Sequence, residues 1–144
     1  MPVLAQEATK FRVIPGDGGA GCWDDGLVTW TVLIVDDDDE FRSLARALLD
    51  RGPFRVVGEA ADCDEALAVV AERRPAVVVI DVGLSDGDGF MLADRLADGA
   101  TPPAVVLISS RDERTYRDRL HDSSVRGFIP KDELSREKLE ALLP

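Results

Sequence analysis

The sequence predicts an α/β fold in which a five-stranded parallel sheet is covered by helices on both faces. Two observations lead to this prediction. Five short apolar runs recur along the chain, and segments with a helical spacing of apolar residues lie between them. Strands that alternate with helices form parallel pairs, because parallel neighbours need a crossover connection. The five apolar runs cover residues 31–35, 54–57, 76–80, 104–108 and 127–129.

The polarity of these runs predicts the order of the strands. Runs one, three and four are apolar without interruption, which is typical of strands that are buried on both faces. Arg55 interrupts run two and run five is short, so we expect these two runs at the edges of the sheet. With right-handed crossovers the order that fits is 2-1-3-4-5, which is the flavodoxin-like doubly wound arrangement.

Apolar residues at helical spacing predict the first two helices. Asp62 followed three residues later by Glu65 predicts a capping box at the start of the second helix. Asp38 and Asp39 precede the first helix and are interpreted as N-cap residues. We expect further helices at about residues 88–97, 112–121 and 135–142. The two apolar faces consist of Phe41, Leu44, Ala45, Leu48 and Leu49 in the first helix and Cys63, Leu67, Val70 and Ala71 in the second.

The length and composition predict one domain and an N-terminal extension. A chain of 144 residues suits one compact domain, which we place at residues 31–143. Residues 1–30 contain prolines, a glycine-rich run and no sustained apolar period. We therefore expect a flexible extension there.

The charge and the cysteine content exclude several classes of protein. The chain has 17 basic and 28 acidic residues and a net charge of -11, which argues against direct binding to nucleic acid or to an anionic membrane. No apolar run approaches the roughly 18 residues of a membrane span, and no secretory signal is recognisable. Cys22 and Cys63 lie far apart without metal or redox spacing. We expect a cytoplasmic protein with reduced thiols.

Polar residues follow four of the predicted strands at the point where each strand ends. Asp36 and Asp37 follow run one, Asp81 follows run three, Ser109 follows run four and Lys131 follows run five. Because the carboxyl ends of parallel strands meet at one edge of the sheet, we expect these side chains to lie together. Converging carboxylates repel one another, and their oxygens suit Mg²⁺. A lysine and a hydroxyl beside them would suit a phosphoryl group, with a carboxylate as the nucleophile.

Five motifs in this order resemble the receiver domain of two-component response regulators. The joint occurrence of an acidic pair, a lone acid, a hydroxyl and a lysine is far more specific than any one of them. The resemblance covers about residues 31–143, and the stretch around residues 127–134 is most similar to receivers that usually precede a helix-turn-helix domain. The motifs are Val32-Leu33-Ile34-Val35-Asp36-Asp37, Val78-Val79-Ile80-Asp81, Asp86-Gly87-Asp88-Gly89, Val106-Leu107-Ile108-Ser109-Ser110 and Gly127-Phe128-Ile129-Pro130-Lys131.

The resemblance implies a role for each residue at the acidic end of the sheet. Asp81 matches the phosphoacceptor of the family. Asp37, Asp81 and the carbonyl of Gly83 would hold Mg²⁺, and Asp36 would assist through water. Lys131 would pair with an oxygen of the phosphoryl group.

The resemblance also implies a switch. Ser109 matches the family's switch hydroxyl, which moves to bond the phosphoryl group, and the backbone amide of Ser110 would donate to the same group. Phe128 matches the aromatic switch position, whose ring turns inward when the hydroxyl moves. We expect the phosphorylated state to alter the face built from the fourth helix, the fifth strand and the fifth helix.

These implications predict a single-domain response regulator that is phosphorylated by a sensor histidine kinase or a phosphotransfer protein. The chain ends at Pro144 without a helix-turn-helix, so we expect output through a downstream protein target and a possible homodimer through the same face. We expect no enzyme activity beyond Mg²⁺-dependent self-phosphorylation and self-dephosphorylation. One alternative is a phosphorylation-independent adaptor with a receiver fold. A second is a haloacid dehalogenase phosphatase, since Asp36 and Asp38 form an Asp-x-Asp motif, but the chain has little room for a cap domain.

Overall fold

The sheet confirms the predicted architecture. A computed structural model describes residues 29–144, so the expected extension at residues 1–30 lies outside the described residues except for its last two. The main sheet has five parallel strands in the order β2-β1-β3-β4-β5, which is the predicted order. The strands are β1 (Trp30–Val35), β2 (Phe54–Ala60), β3 (Val77–Asp81), β4 (Ala104–Ser109) and β5 (Gly127–Pro130).

Helices connect the strands and lie on both faces of the sheet. In the part of the chain from Thr29 onward, no helix has the length and apolar character that crossing a membrane requires. A short antiparallel hairpin between Gly83–Leu84 and Gly87–Asp88 follows β3. The helices are α1 (Asp39–Leu49), α2 (Cys63–Arg73), α3 (Gly89–Ala97), α4 (Arg117–His121) and α5 (Arg136–Ala141).

The core consists of two apolar layers, one on each face of the sheet. Alternate residues of β1 point to opposite layers, so Leu33 and Val35 lie in one layer while Val32 and Ile34 lie in the other. Side chains from α2 and α3 cover the first layer, and side chains from α1 and α5 cover the second. The inner strands are therefore buried on both faces, as their uninterrupted apolar runs predict.

Two predicted helix faces need correction. Leu44 of α1 is 54% exposed, so the apolar face of this helix is narrower than its spacing indicates. In α2 the predicted Cys63 is buried, but so is Ala66, whereas the predicted Ala71 is exposed. In both helices the outermost apolar position lies beyond the line of contact with the sheet.

The predicted N-caps are mostly confirmed. The Asp38 carboxylate accepts from the N–H groups of Glu40 and Phe41. Asp39, however, is the first residue of α1 rather than a cap, and its carboxylate pairs with Arg42. At α2 the Asp62 carboxylate accepts from Glu65 N–H at 2.8 Å, and the Glu65 carboxylate accepts from Ala61 N–H, one residue before the cap.

The fourth helix is much shorter than predicted. The segment expected to be helical at residues 112–121 begins with a 3-10 turn, Glu113–Tyr116, and only then continues as α4. Neither piece contains a buried residue, although Tyr116 and Leu120 pack partly against the core. Charged residues dominate this segment, so few apolar contacts hold it to the sheet.

The two edge strands have different lengths and different irregularities. The structure extends β2 to Ala60, three residues beyond the predicted run, and Trp30 at the start of β1 pairs with Phe54. The register between β1 and β2 shifts beside Val57, which is a bulge in the edge strand. At the opposite edge, β5 has four residues and ends at Pro130, which has no N–H to donate.

Candidate functional site

The predicted carboxylates meet at the carboxyl end of the sheet. Asp81 is the last residue of β3, and Asp36 follows the neighbouring strand β1. Asp36 has no exposed surface and Asp81 is 7% exposed, whereas Asp37 is exposed. One carboxylate oxygen from each of the three lies within 4.8 Å of the others. The convergence expected from the strand ends is therefore confirmed.

Lys131 supplies the positive charge of this cluster. The residue follows β5, and its Nζ lies 2.6 Å from Asp36 Oδ2 and 3.6 Å from Asp81 Oδ2. The ammonium also lies over the ring of Phe41, at 4.5 Å from the centroid. Burial alone would lower the pKa of Lys131, but its contacts with Asp36 and Asp81 outweigh burial and raise it. The lysine is therefore a firmly charged partner of both carboxylates.

The buried Asp36 depends on few partners. Its Oδ1 accepts from the N–H of Asp38 at 2.9 Å. Its Oδ2 makes no hydrogen bond of good geometry, and the ion pair with Lys131 is what balances this buried oxygen. Arg42 holds the backbone beside it, because Nη1 donates to the Asp36 carbonyl at 2.6 Å while Nε pairs with Glu59. The loop after β1 is thus held by Lys131 at the Asp36 carboxylate and by Arg42 at the Asp36 carbonyl.

The electrostatics of Asp81 favour a cation at this position. Burial raises the pKa of the Asp81 carboxyl, and the charge of Asp36 raises it further. Lys131 and a hydrogen bond from the backbone N–H of Gly83 lower it, but the net shift is upward. Lys131 alone therefore does not balance the negative charge of the ionised carboxylates. An all-oxygen donor set with excess negative charge fits a hard divalent cation such as Mg²⁺, which Asp36, Asp37 and Asp81 would hold.

Ser109 is the last residue of β4, which pairs with the strand that ends at Asp81, and its side chain is buried, with 4% of the residue exposed. Its Oγ accepts from the N–H of Arg111 at 3.0 Å and lies 3.1 Å from the hydroxyl of Tyr116. Both hydrogen bonds join the hydroxyl to the segment that leads into α4. The next residue, Ser110, is exposed. The predicted hydroxyl position is therefore at the strand end, but its contacts in this conformation are with the neighbouring segment.

Phe128 is part of an aromatic row that the sequence pattern does not predict. The Phe128 ring lies 5.8 Å from the ring of Tyr116, which in turn lies 5.9 Å from the ring of Phe90. Arg119 lies over the outer face of Phe90 and forms an ion pair with Asp88 at 2.7 Å. The available signal was that Tyr116 is the single tyrosine of the chain, in an otherwise charged segment.

The loop after Asp81 is fixed by its own carboxylates. Asp86 accepts from the N–H groups of Cys63 and Asp64, so it caps the start of α2 from a distance in sequence. Asp88 caps α3 by accepting from Met91 N–H. Both belong to the Asp86-Gly87-Asp88-Gly89 motif, whose role the sequence alone does not indicate. In the structure these residues position the loop that carries Gly83.

Gly89 lies in close contact with the backbone of Asp81 and Val82. A Cβ at residue 89 would lie 2.7 Å from the Asp81 carbonyl oxygen and 3.0 Å from Val82 Cα. We therefore expect Gly89→Ala to lower the free energy of unfolding by about 2 kcal/mol in a urea titration. Gly83→Ala is the matched control, because a Cβ there meets nothing within 4 Å. Equal stability of the two variants would contradict the close approach at Gly89.

The similarity of this chain to known response regulators is consistent with the acidic cluster at the carboxyl end of the sheet. A family model for the response regulator receiver domain matches residues 32–143. A putative transcriptional regulator of Pseudomonas aeruginosa is 32% identical over 112 residues, covering 78% of this chain and 52% of the relative. The putative transcription regulator BvgA of Bordetella pertussis is 30% identical over 110 residues, covering 76% of this chain and 53% of that protein. The chain thus spans about half the length of these curated relatives.

Solved structures show the same fold. The receiver domain of the putative response regulator NarL from Mycobacterium tuberculosis superposes with a TM-score of 0.71 at 28% identity, covering 80% of this chain and 97% of that one. The response regulator domain of CheB from Thermotoga maritima gives a TM-score of 0.67 at 22% identity, with coverage of 81% and 93%. The sequence match, the parallel sheet and the acidic cluster agree with one another. The chain belongs to the family of response regulator receiver domains.

Proposed function

We propose that this receiver is a phosphoacceptor in a two-component phosphorelay and that Asp81 receives the phosphoryl group from a sensor histidine kinase or a phosphotransfer protein. The observation that carries the proposal is the grouping of Asp81 with Asp36, Asp37 and Lys131 at the carboxyl end of the sheet. Asp81 combines near-complete burial with a carboxylate that Lys131 can reach.

The positions of these groups support a direct transfer of the phosphoryl group to Asp81. A carboxylate oxygen of Asp81 attacks the phosphorus of a phosphohistidine, so that an O–P bond forms while the N–P bond breaks and its electron pair returns to the imidazole. Lys131 is placed to offset the charge that the phosphoryl oxygens bring. Bound Mg²⁺ would offset the remaining negative charge on the carboxylates and the phosphoryl oxygens.

The output side of the proposal concerns α4, β5 and α5. Ser109 and the Ser110 amide would bond the phosphoryl group, and Phe128 would change its packing when Ser109 moves. The face formed by α4, β5 and α5 would then contact a downstream protein or a second copy of the chain. The only chemistry we propose is Mg²⁺-dependent self-phosphorylation and self-dephosphorylation, in the cytoplasm, where such kinases present their phosphohistidine.

The proposal is tested by incubation with acetyl phosphate. We expect the intact mass to rise by one phosphoryl group in the presence of Mg²⁺ and to stay unchanged in the presence of EDTA. Reduction of the acyl phosphate with borohydride, followed by peptide mass spectrometry, should place the modification at Asp81. No labelling, combined with no response of the amide NMR spectrum to beryllofluoride, would favour the phosphorylation-independent adaptor.

A further inference from the structure

Tyr116 connects Ser109 to the aromatic row formed by Phe90, Tyr116 and Phe128. Its hydroxyl lies 3.1 Å from Ser109 Oγ, and its ring lies between those of Phe90 and Phe128. The residue is half-buried, while the other residues of the 3-10 turn are exposed. Tyr116 is also the last residue before α4 begins.

The hydrogen bonds of Ser109 indicate that its contact with Tyr116 holds the serine side chain in one rotamer. A serine hydroxyl has one proton and two lone pairs, and the N–H of Arg111 already uses one lone pair. The Tyr116 hydroxyl takes up a second position on the same oxygen, whichever of the two atoms is the donor. Rotation of Ser109 about its Cα–Cβ bond to another staggered rotamer would carry Oγ away from Tyr116. The contact therefore favours the present rotamer over one that reaches the acidic cluster.

The ring of Tyr116 also shares a partner with a residue of α4. Arg119, three residues after Tyr116, forms an ion pair with Asp88 and lies 4.2 Å from the centroid of the Phe90 ring. Phe90 is the same ring against which Tyr116 packs. A displacement of Tyr116 therefore changes the surface that holds Arg119, and with it the position of α4 on α3.

We propose that Tyr116 is a positioning residue whose hydroxyl holds Ser109 in its resting rotamer, and that its release links phosphorylation of Asp81 to movement of α4. This role rests on the proposed function. In the unphosphorylated protein the Ser109–Tyr116 hydrogen bond opposes the active arrangement. When a phosphoryl group on Asp81 attracts the Ser109 hydroxyl, the bond breaks and Tyr116 loses its polar anchor.

The single tyrosine permits a direct measurement in the full chain. With ¹³C at the ζ carbon of tyrosine, the carbon NMR spectrum contains one labelled signal, which reports hydrogen bonding of the phenol. We expect Ser109→Ala to shift this signal, and beryllofluoride with Mg²⁺ to shift it in the same direction. An unmoved signal in Ser109→Ala would overturn the resting contact. A signal that stays in place while beryllofluoride shifts the backbone amides of Asp81 and Lys131 would overturn the link to phosphorylation.

The measurement separates this role from the proposed function. If beryllofluoride shifts no amide signal, the phosphoacceptor function and the link through Tyr116 both fail. The comparison of wild type with Ser109→Ala still decides whether the resting hydrogen bond exists, because it needs no phosphoryl mimic.

Tyr116→Phe supplies a second test that keeps the ring. Because one hydrogen bond that favours the resting state is lost, we expect beryllofluoride affinity to rise about three- to tenfold. The same change in a Ser109→Ala background should have no effect, as in a double-mutant cycle. Ser123→Ala is the matched control, since it removes a hydroxyl that donates to the Leu120 carbonyl, away from Ser109. An unchanged affinity in Tyr116→Phe, or a gain that persists without the Ser109 hydroxyl, would overturn the positioning role.

Discussion

Asp81→Asn should abolish phosphorylation and at the same time make the protein more stable in magnesium-free buffer. Asparagine has nearly the same shape but no carboxylate oxygen that can attack phosphorus. The raised pKa of Asp81 means that the ionised carboxylate is less favourable in the folded chain than in the unfolded chain. The neutral amide removes that cost. We expect no labelling by acetyl phosphate and a Tm that rises by about 3 °C.

The pH dependence of this stability difference follows from the direction of the shift. Asp81 opposes folding when it is ionised, so the advantage of Asp81→Asn is fully present above the raised pKa of Asp81. It disappears as the pH falls and the carboxyl group becomes protonated in both states. Asp94→Asn, an exposed change on α3, is the control and should change neither labelling nor Tm. Labelling of Asp81→Asn at the wild-type rate would assign the phosphoryl group to another carboxylate.

Lys131→Met should strongly destabilise the folded protein. The change leaves Asp36, which has no exposed surface, without the ion pair that balances its Oδ2. Removing one partner of a buried pair typically costs a few kcal/mol, and we expect a loss of about 3 kcal/mol in urea unfolding without Mg²⁺. Because Lys131 also lies near Asp81, we expect Lys131→Met to reduce labelling by acetyl phosphate as well as stability.

Lys138→Met is the matched control for Lys131→Met. Lys138 Nζ lies 2.6 Å from Glu133 Oε1, the same separation as that between Lys131 and Asp36. Its side chain is 53% exposed, however, and an exposed pair contributes only about 0.5 kcal/mol. We therefore expect Lys138→Met to retain stability and labelling. A similar loss in both variants would show that burial of Asp36 does not set the cost.

The acidic cluster was predictable because parallel strands bring their carboxyl ends to one edge. Asp36, Asp81 and Lys131 follow apolar runs whose length and polarity identify them as strands. Once the strand order is inferred, the grouping of these side chains follows without knowledge of their rotamers. The N-cap of α1 was predictable for a similar reason, since Asp38 needs only its own neighbours to form it.

The segment before and through α4 was not predictable to the same depth. Its charged composition gives no apolar period, and Tyr116, which lies between the 3-10 turn and the short helix, packs against Phe90 and Phe128, two rings distant from it in the sequence. Leu44 and the end of β2 illustrate the same limit. The spacing of apolar residues predicts a helix but not how that helix is oriented on the sheet, so it does not predict the exposure of Leu44. An edge strand also tolerates polar residues such as Glu59, which are not typical of strand sequences, so the end of β2 was not predicted.

The irregular edges of the sheet also bear on how copies of this protein meet at high concentration. An open sheet edge invites strand addition from another molecule, which is one route to ordered aggregates. Here β2 carries the bulge beside Val57, and β5 is short and ends at Pro130. Neither edge offers a long, regular row of donors and acceptors. Both irregularities therefore disfavour growth of the sheet by strand addition when many copies of the protein are present.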